Sequence, residues 1–121
     1  MHIQQEGLDS HTIRSYSESS ITVGDNQYEQ SIILNHTSII CPWAIHALQD
    51  LNDVTIEPFL SLEPEIIIIG HQSLHTLPPP TIMQYLSKKR IGIECMSIGA
   101  ACRTFNVLLS ELRKVAIGII F

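Results

Sequence analysis

The spacing of apolar residues changes between the first third of the chain and the rest. Short stretches at 12–16 and 20–23 alternate between apolar and polar residues, and many β-branched residues follow at 28–40. An alternation of two is typical of β-strands with one buried face. The segment 24–27 is rich in turn-forming residues and separates these stretches. The first third therefore predicts an antiparallel hairpin or meander.

The second half indicates strands that alternate with helices. Residues 66–69 are isoleucine at every position, which suits a strand covered on both faces, and 91–96 and 115–121 predict two more apolar strands. Helices are predicted at 81–90 and within 97–115. Because strand–helix–strand crossovers are nearly always right-handed, these elements predict a parallel βαβαβ sheet in the C-terminal half. The amino-terminal hairpin cannot bury its own face, so we expect it to extend this sheet or to pack across one side as a further layer.

The predicted fold class is therefore α/β, a three-layer domain that includes an N-terminal antiparallel β-hairpin layer. A short helix at 55–60 is also predicted, with Thr55 as its N-cap and Pro58 in the first turn, where a proline is tolerated. Residues 1–11 show neither a helical nor a strand period, so we expect them to be flexible. Residues 12–121 are predicted to form a single domain.

The segment 97–115 predicts one amphipathic helix with two distinct faces. Apolar residues recur along a face that should be buried; they are Ala101, Phe105, Leu108 and Leu112. Polar residues recur along another face, and we call them the polar line; they are Arg103, Asn106, Ser110 and Arg113. Solvent or a partner should meet the polar line.

Composition narrows the class of partner. With 7 basic and 12 acidic residues the formal net charge is −5, which disfavours broad nucleic-acid binding because that binding depends on neutralising phosphates. Charged residues make up only 16% of the chain, and this low share indicates that a partner or a second copy covers part of the surface. We therefore expect another protein as the partner, and a homo-oligomer is the alternative.

The sequence favours a reducing compartment. Its 3 cysteines are an odd number without CxxC or zinc-like spacing, which is typical of reduced thiols in or near a core. The amino terminus lacks the features of a secretory or mitochondrial targeting segment, and the longest apolar runs are far too short to span a membrane. These observations predict a soluble cytoplasmic protein without a membrane span.

The predicted helix and the strands around it resemble a known family. The segments that carry the resemblance are 99–115, 92–96 and 64–70, together with the single Trp43 and the hairpin before it, so that it spans roughly residues 12–121. The chain resembles the small Mth-type domains of unknown function, a family that includes the mitochondrial assembly factor three of respiratory complex I.

The resemblance implies a compact α/β domain with a parallel sheet, flanking helices and a separate β layer, the Mth-like fold. It carries no catalytic residues, and it implies action through protein contacts, with a link to the biogenesis of a respiratory complex. The chain departs from the family pattern at two places. It has Gly70-His71-Gln72 where relatives usually carry Gly-Thr-Gly, and Met96-Ser97-Ile98 where they often carry Met-Asp-Thr. These changes weigh against a small-anion or metal site at that edge.

The start of the long helix is nevertheless a candidate ligand site. Ser97 follows a parallel strand and precedes the helix, where backbone N–H groups and the helix dipole favour anions. Gly99 would allow close approach and Arg103 would supply positive charge. In the structural alternative, Ser97 is an ordinary N-cap and Gly99 is a packing residue.

The polar line has two interpretations. As a recognition surface it fits a protein partner, because arginine is enriched at binding hot spots. Alternatively, Arg103 and Asn106 bind nearby loop carbonyls and hold the hairpin layer in place.

Two further groups have features of a reactive or a metal-binding centre. Cys102 is predicted in the first turn of the helix beside Arg103, a setting that lowers a thiol pKa, whereas its small neighbours indicate a buried inert thiol. His71 and His75 have a metal-ligand spacing on a helix, but the preceding strand and following prolines favour a loop. We expect no catalytic residues, no metal and no cofactor.

The sequence thus predicts a domain that binds another protein through the polar line and the adjoining strand edge. The alternative is a small anion-binding domain or enzyme that uses the helix start from Ser97 to Arg103, with Cys102 as the reactive group. Self-association through an apolar edge is a third hypothesis.

Overall fold

A computed structural model of the chain describes residues 11–73 and 76–121. Of the predicted flexible segment, residues 1–10 lie outside the described residues. His11 is described, and its ring Nδ1 lies 2.6 Å from the backbone oxygen of Asn35. His75, one of the two histidines with metal-ligand spacing, also lies outside the described residues.

The described chain contains short strands in its first third and longer elements after it. The strands are β1 (Ile13–Tyr16), β2 (Ile21–Val23), β3 (Asn26–Tyr28), β4 (Ile32–Leu34), β5 (Ile39–Ile40), β6 (Ile66–His71), β7 (Gly92–Ser97) and β8 (Val115–Ile119). The helices are α1 (Asp53–Leu60), α2 (Pro80–Lys88) and α3 (Ile98–Ser110), preceded by a 3-10 turn at Leu48–Asp50. These elements confirm the α/β class.

The strands form two sheets. One is antiparallel with the order β1-β2-β3, and the other has the order β5-β4-β8-β6-β7. In the larger sheet β6 pairs in parallel with both β7 and β8, as the βαβαβ pattern predicts. β4 adds to β8 in the antiparallel direction and carries β5. The amino-terminal third therefore does both things that were expected of it, because β4 and β5 extend the parallel sheet while β1, β2 and β3 form a separate layer.

Each face of the larger sheet has its own apolar core. On one face α3 and the three-stranded sheet pack against residues such as Ile68 and Ile117. On the other face Trp43 and the helices α1 and α2 pack against residues such as Ile67 and Ile69. The two crossover helices lie on opposite faces because the chain moves from β6 outward to β7 and then back across β6 to β8, with the same hand each time.

A glycine in β6 determines how closely α3 approaches the sheet. A Cβ atom at Gly70 would lie 2.9 Å from the Cβ of Ala101 and 3.2 Å from the Cα of Ile98. Real Cβ atoms essentially never come within 3.0 Å of a non-bonded heavy atom, so α3 can rest this closely on β6 only where β6 lacks a side chain. This contact fixes the start of α3 beside the carboxyl end of β6.

The start of α1 differs from the prediction. Asn52, not Thr55, is the N-cap, and its side chain accepts hydrogen bonds from the backbone N–H groups of Val54 and Thr55. Thr55 is the reciprocal partner in a capping box, because its Oγ1 accepts from the N–H of Asn52 at 2.8 Å. The helix therefore begins earlier, and Pro58 lies in its second turn, not its first.

The end of α3 also differs from the prediction. The helix ends at Ser110, and Leu112 follows in a left-handed conformation with φ 61°. Leu112 is 70% exposed, and Leu109 occupies the buried position instead. Arg113 consequently lies beyond the helix. The periodic spacing of apolar residues continued past the physical end of the helix, where it no longer describes a face.

Candidate functional site

A cleft of about 370 Å³ opens at the carboxyl ends of β6 and β7, beside the start of α3. The three-stranded sheet forms its other wall. The lining residues come from three parts of the chain; they are Tyr16, Ser17, Glu18, His71, Gln72, Ser97, Ile98 and Gly99. Carboxyl ends of parallel strands are a common place for ligands in open α/β sheets, and the cleft is of the size of small-molecule sites.

Ser97 and Gly99 shape the helix start as the structural interpretation predicted. The Oγ of Ser97 accepts a hydrogen bond from the N–H of Ala100 at 3.3 Å, so Ser97 is the N-cap of α3. A Cβ atom at Gly99 would lie 3.0 Å from Cε1 of Tyr16 and 3.2 Å from Nη1 of Arg103. Glycine at this position therefore lets β1 and the arginine close over the helix.

Arg103 is held at the rim of the cleft by an aromatic residue of β1. Its Nη1 donates a hydrogen bond to the hydroxyl of Tyr16 at 2.7 Å, and its guanidinium carbon lies 5.9 Å from the centre of the tyrosine ring. The remaining N–H groups of the guanidinium are available to other acceptors, since its five donors are arranged as a planar fork. The arrangement places a positive charge beside the helix start.

A second long-range hydrogen bond ties the turn between β1 and β2 to the end of β6. Nε2 of Gln72 donates to the backbone oxygen of Glu18 at 2.6 Å. Sequence analysis missed both ties, because their partners are 54 and 87 positions apart and neither leaves a local pattern. These two hydrogen bonds hold the three-stranded sheet against the carboxyl ends of β6 and β7, and a cleft forms between them.

Asn106 is the residue of the polar line that makes the most specific contact. Its Oδ1 accepts from the N–H of Ile13 at 2.9 Å, and its Nδ2 donates to the carbonyl oxygen of the same residue at 2.9 Å. The amide thus satisfies both backbone groups of one β1 residue, as a neighbouring strand would. This is the structural use that the alternative interpretation expected, with a strand in place of a loop.

The other two residues of the polar line lie farther from the cleft. The hydroxyl of Ser110 donates to the carbonyl oxygen of Val107 in its own helix at 2.7 Å. Nε of Arg113 lies 3.8 Å from Oε1 of Glu65, and both side chains are about half exposed. The structure therefore brings Ser97, Gly99 and Arg103 together, while Ser110 and Arg113 lie at the opposite end of α3.

The described residues near the cleft offer little for acid–base or nucleophilic chemistry. Burial lowers the pKa of His71, whose Nδ1 accepts from the N–H of Ser73 at 3.1 Å, so the neutral ring carries its proton on Nε2. Burial raises the pKa of Cys102 to about 12, although the charge of Arg103 acts in the other direction. Cys102 lies in the second turn of α3, not in the first as predicted, because the helix begins at Ile98. It is fully buried, so it is a protonated, inaccessible thiol at neutral pH.

Metal binding has no support in the residues that the structure describes. Within 11–73 and 76–121 no group of three or more histidine, cysteine, aspartate or glutamate side chains lies close enough to hold an ion. No helix in the same part of the chain is long and apolar enough to cross a bilayer.

The outer surface of α3 carries exposed apolar side chains between charged ones. Val107 is 55% exposed on the outermost line of the helix, and Leu112 is 70% exposed beyond its end. Arg103 and Arg113 lie on either side of them along the chain. Such mixed surfaces, apolar with arginine at the margin, are typical of protein contacts.

Comparison with known proteins gives a family and named relatives. The family model described as "Protein of unknown function (DUF498/DUF598)" matches residues 13–120. The chain is 27% identical to the "13 kDa major membrane protein" of Francisella tularensis over 99% of both chains. It is 33% identical to "NADH dehydrogenase (ubiquinone) 1 alpha subcomplex assembly factor 3" of Drosophila melanogaster, over 67% of this chain and 43% of that protein. The chain thus spans less than half the length of that assembly factor.

Solved structures match the fold over most of the chain. A Xanthomonas campestris protein solved by NMR aligns with a TM-score of 0.84 and 30% identity, covering 99% of this chain and 92% of the other. A Bordetella pertussis protein described as an Mth938-like domain aligns with a TM-score of 0.75 at 20% identity, covering 94% of this chain and 86% of the other. The second likeness concerns the fold alone, and it confirms the predicted Mth-like fold.

Proposed function

The chain belongs to the family of proteins of unknown function DUF498/DUF598, and from this membership we propose that it binds another protein as an accessory or assembly factor. Relatives named as assembly factors of NADH dehydrogenase support the proposal. Assembly factors act by contact with subunits of a complex, so a protein surface and not a reaction centre is the functional element. The location that goes with this proposal is the cytoplasm.

The outer face of α3 carries the proposal. Val107 is exposed on it, with Arg103 one turn earlier and Ser110 on the next turn. The exposed part of Val107 contributes nothing to the core of the chain, and because the residue is 55% exposed, a partner that covered it would gain roughly 1 kcal/mol from burial of its side chain. Arg103 and Arg113 would contribute charged hydrogen bonds at the margin of the contact.

Partner capture with matched valine variants tests the proposal. Val107→Glu should abolish recovery of a stoichiometric partner by the tagged chain, because the partner would have to bury an unpaired carboxylate. Val54 in α1 is 74% exposed on the other side of the molecule, so Val54→Glu is the control and should leave recovery unchanged. The double variant Arg103→Ala/Arg113→Ala should weaken recovery without abolishing it. Equal recovery with Val107→Glu and Val54→Glu would remove the α3 surface from the proposal.

The cleft supports a second candidate function, the binding of a small anion. The specific observation is that a positively charged guanidinium is fixed beside a helix start that opens into about 370 Å³ of space. Phosphate and sulfate should then raise the melting temperature of the chain, and Arg103→Gln should remove that increase. Arg113→Gln is the control because Arg113 lies at the opposite end of α3. An identical increase in both variants would exclude the cleft.

The catalytic version of this candidate is tested by thiol reactivity. Since burial raises the pKa of Cys102 to about 12, its alkylation at pH 8 should be far slower than that of free cysteine and should speed up on partial unfolding. Alkylation of Cys102 at or above the rate of free cysteine would revive the nucleophile hypothesis.

A further inference from the structure

The free edge of β7 is the feature from which we argue further. Within the described residues β7 is the last strand of the larger sheet, with β6 as its partner on one side. All six of its residues pair with β6 in one uninterrupted register. No proline or bulge interrupts it, and Glu94 is the one charged residue on β7 that would have to be matched by an added strand.

The direction of the backbone groups on β7 follows from one hydrogen bond. The N–H of Gly92 donates to the carbonyl oxygen of Glu65 at 2.9 Å, so Gly92 turns toward β6. In a parallel pair alternate residues turn toward the neighbour, so Glu94 and Met96 also face β6. The N–H and C=O groups of Ile93 and Cys95 therefore point away from the sheet, where an added strand would meet them.

Apolar surface lies on both faces of this edge. Ile93 and Cys95 are half-buried against the core beneath α2. Met96 is half-buried on the α3 side, where Leu108 packs against the same core and the hydroxyl of Thr104 lies 3.5 Å from the sulfur of Met96. An added strand would place successive side chains on these two faces in turn, so apolar residues suit both.

Glu94 determines which charge a strand added at β7 should carry. It is exposed in the middle of β7 on the α3 side, and the ion pairs of the described residues do not include it. An added strand with lysine or arginine opposite Glu94 would pair this carboxylate at the moment the edge is covered.

Symmetric pairing of β7 with the β7 of a second copy does not supply that cation. Gly92 to Ser97 contains no basic residue, and Arg90, the nearest one before it, has φ 59° and so cannot continue an extended ladder. An isologous β7 pair would leave both Glu94 carboxylates without a partner. These constraints favour a different protein over a symmetric β7 dimer.

We propose that the edge of β7 is where the protein partner docks, by adding one extended, largely apolar segment that carries a lysine or arginine opposite Glu94. This inference rests on the proposed function, since it specifies how the partner binds. The outer face of α3 would then contact the body of the partner, and β7 would hold the segment.

Peptide selection against the intact chain tests the charge rule. The probe is a displayed library of ten-residue peptides with apolar residues at alternate positions and all charges allowed at the others. Selection should enrich lysine or arginine at one fixed position. With Glu94→Lys as bait the preference should change to aspartate or glutamate, and the original peptides should bind about tenfold more weakly. Glu57→Lys, which reverses an exposed charge on α1, is the control and should select the same peptides as the unaltered chain.

Amide exchange of the chain with a selected peptide tests the docking geometry. In the free chain the amides of Gly92, Glu94 and Met96 should exchange slowly, while those of Ile93 and Cys95 exchange fast. Peptide binding should slow Ile93 and Cys95 about tenfold or more and leave the others unchanged.

Several outcomes would overturn the inference. In the peptide selection, they are the absence of an enriched basic position and an unchanged preference with Glu94→Lys as bait. In the exchange experiment, they are slower exchange at amides other than those of Ile93 and Cys95, or protection of these two amides by self-association as the concentration of the chain rises. Loss of partner recovery with Val107→Glu together with any of these outcomes would leave the proposed function standing and remove only strand addition. Retained recovery with Val107→Glu would count against the α3 surface while the β7 result is judged separately.

Discussion

The two flanks of α3 make different use of their side chains. The flank toward β1 carries Gly99, Arg103 and Asn106, each of which contacts that strand. The flank toward β7 carries Thr104 and Leu108, which are half-buried. Within the described residues, its side-chain hydrogen bond to β7 is the weak contact from the hydroxyl of Thr104 to the sulfur of Met96.

The difference shows that a polar line on a helix has more than one physical use. On the β1 flank polar groups satisfy the backbone of a second layer, and without them the edge of the three-stranded sheet would lie unpaired against α3. On the β7 flank the side chains are less polar, yet the neighbouring strand edge is open. The flank with more polar side chains is thus the one already covered by another part of the chain, the strand β1. A role of Arg103 and Arg113 in partner binding stays a prediction.

The largest loss of stability is expected from substitution of Gly70, because the position of both flanks depends on the close contact of α3 with β6 at this residue. Gly70→Val would push α3 away from β6, since even one Cβ atom there lies 2.9 Å from Ala101. We expect a loss of about 3 kcal/mol in the free energy of unfolding, measured by urea denaturation. Gly92→Ala is the matched control, because a Cβ there meets only the oxygen of Glu65 at 3.8 Å. Similar losses for both variants would contradict the close approach of α3.

Asn106 should show the next largest effect and separates the flanks directly. Asn106→Ala removes both hydrogen bonds to Ile13 and leaves an N–H and a C=O of β1 without partners. The expected loss is about 2 kcal/mol, with faster amide exchange in β1 than in β6. Ser110→Ala should change stability by less than about 0.5 kcal/mol, because that hydroxyl binds only a carbonyl of its own helix. An equal effect of the two substitutions would mean that the β1 flank is not specially held.

Much of the fold was predictable because it depends on local periodicity. The parallel strands, the amphipathic helix and the N-cap at Ser97 each follow from residues within a few positions of one another. Ala101 and Phe105 were assigned to the buried face, and both are fully buried. The prediction that Leu112 lies on the buried face was wrong because apolar spacing does not mark where a helix ends. The left-handed residue after the helix is not a glycine, so the usual sign of a helix end is missing from the sequence.

The cleft was less predictable than the helix start that borders it. Ser97, Gly99 and Arg103 were named from the strand-to-helix junction alone. Tyr16 and Gln72 were not, because they come from β1 and the end of β6 and reach the cleft only through tertiary packing. No spacing in the sequence could have joined Arg103 to a tyrosine 87 positions away.

Arg103 is expected to contribute less to stability than Asn106, since its contact with Tyr16 is exposed. Arg103→Ala should lower the free energy of unfolding by about 0.5 to 1 kcal/mol, from the loss of one hydrogen bond and of the ring contact. Tyr16→Phe removes the hydroxyl but keeps the ring, so it should cost less than Arg103→Ala. If the two losses add fully in the double variant, the residues do not act as a pair.

The smallest effect is expected on the flank toward β7. Thr104→Val keeps the shape of the side chain and removes only a weak hydrogen bond of 3.5 Å to the sulfur of Met96. The free energy of unfolding should change by less than about 0.5 kcal/mol, and exchange at β7 should be unaltered. This flank lies beside the proposed docking edge, but the substitution leaves the backbone of β7 and Glu94 in place. The same variant should therefore still select extended peptides. A loss of 2 kcal/mol, equal to that of Asn106→Ala, would show that α3 is held as firmly on the β7 side, and the contrast between its flanks would disappear.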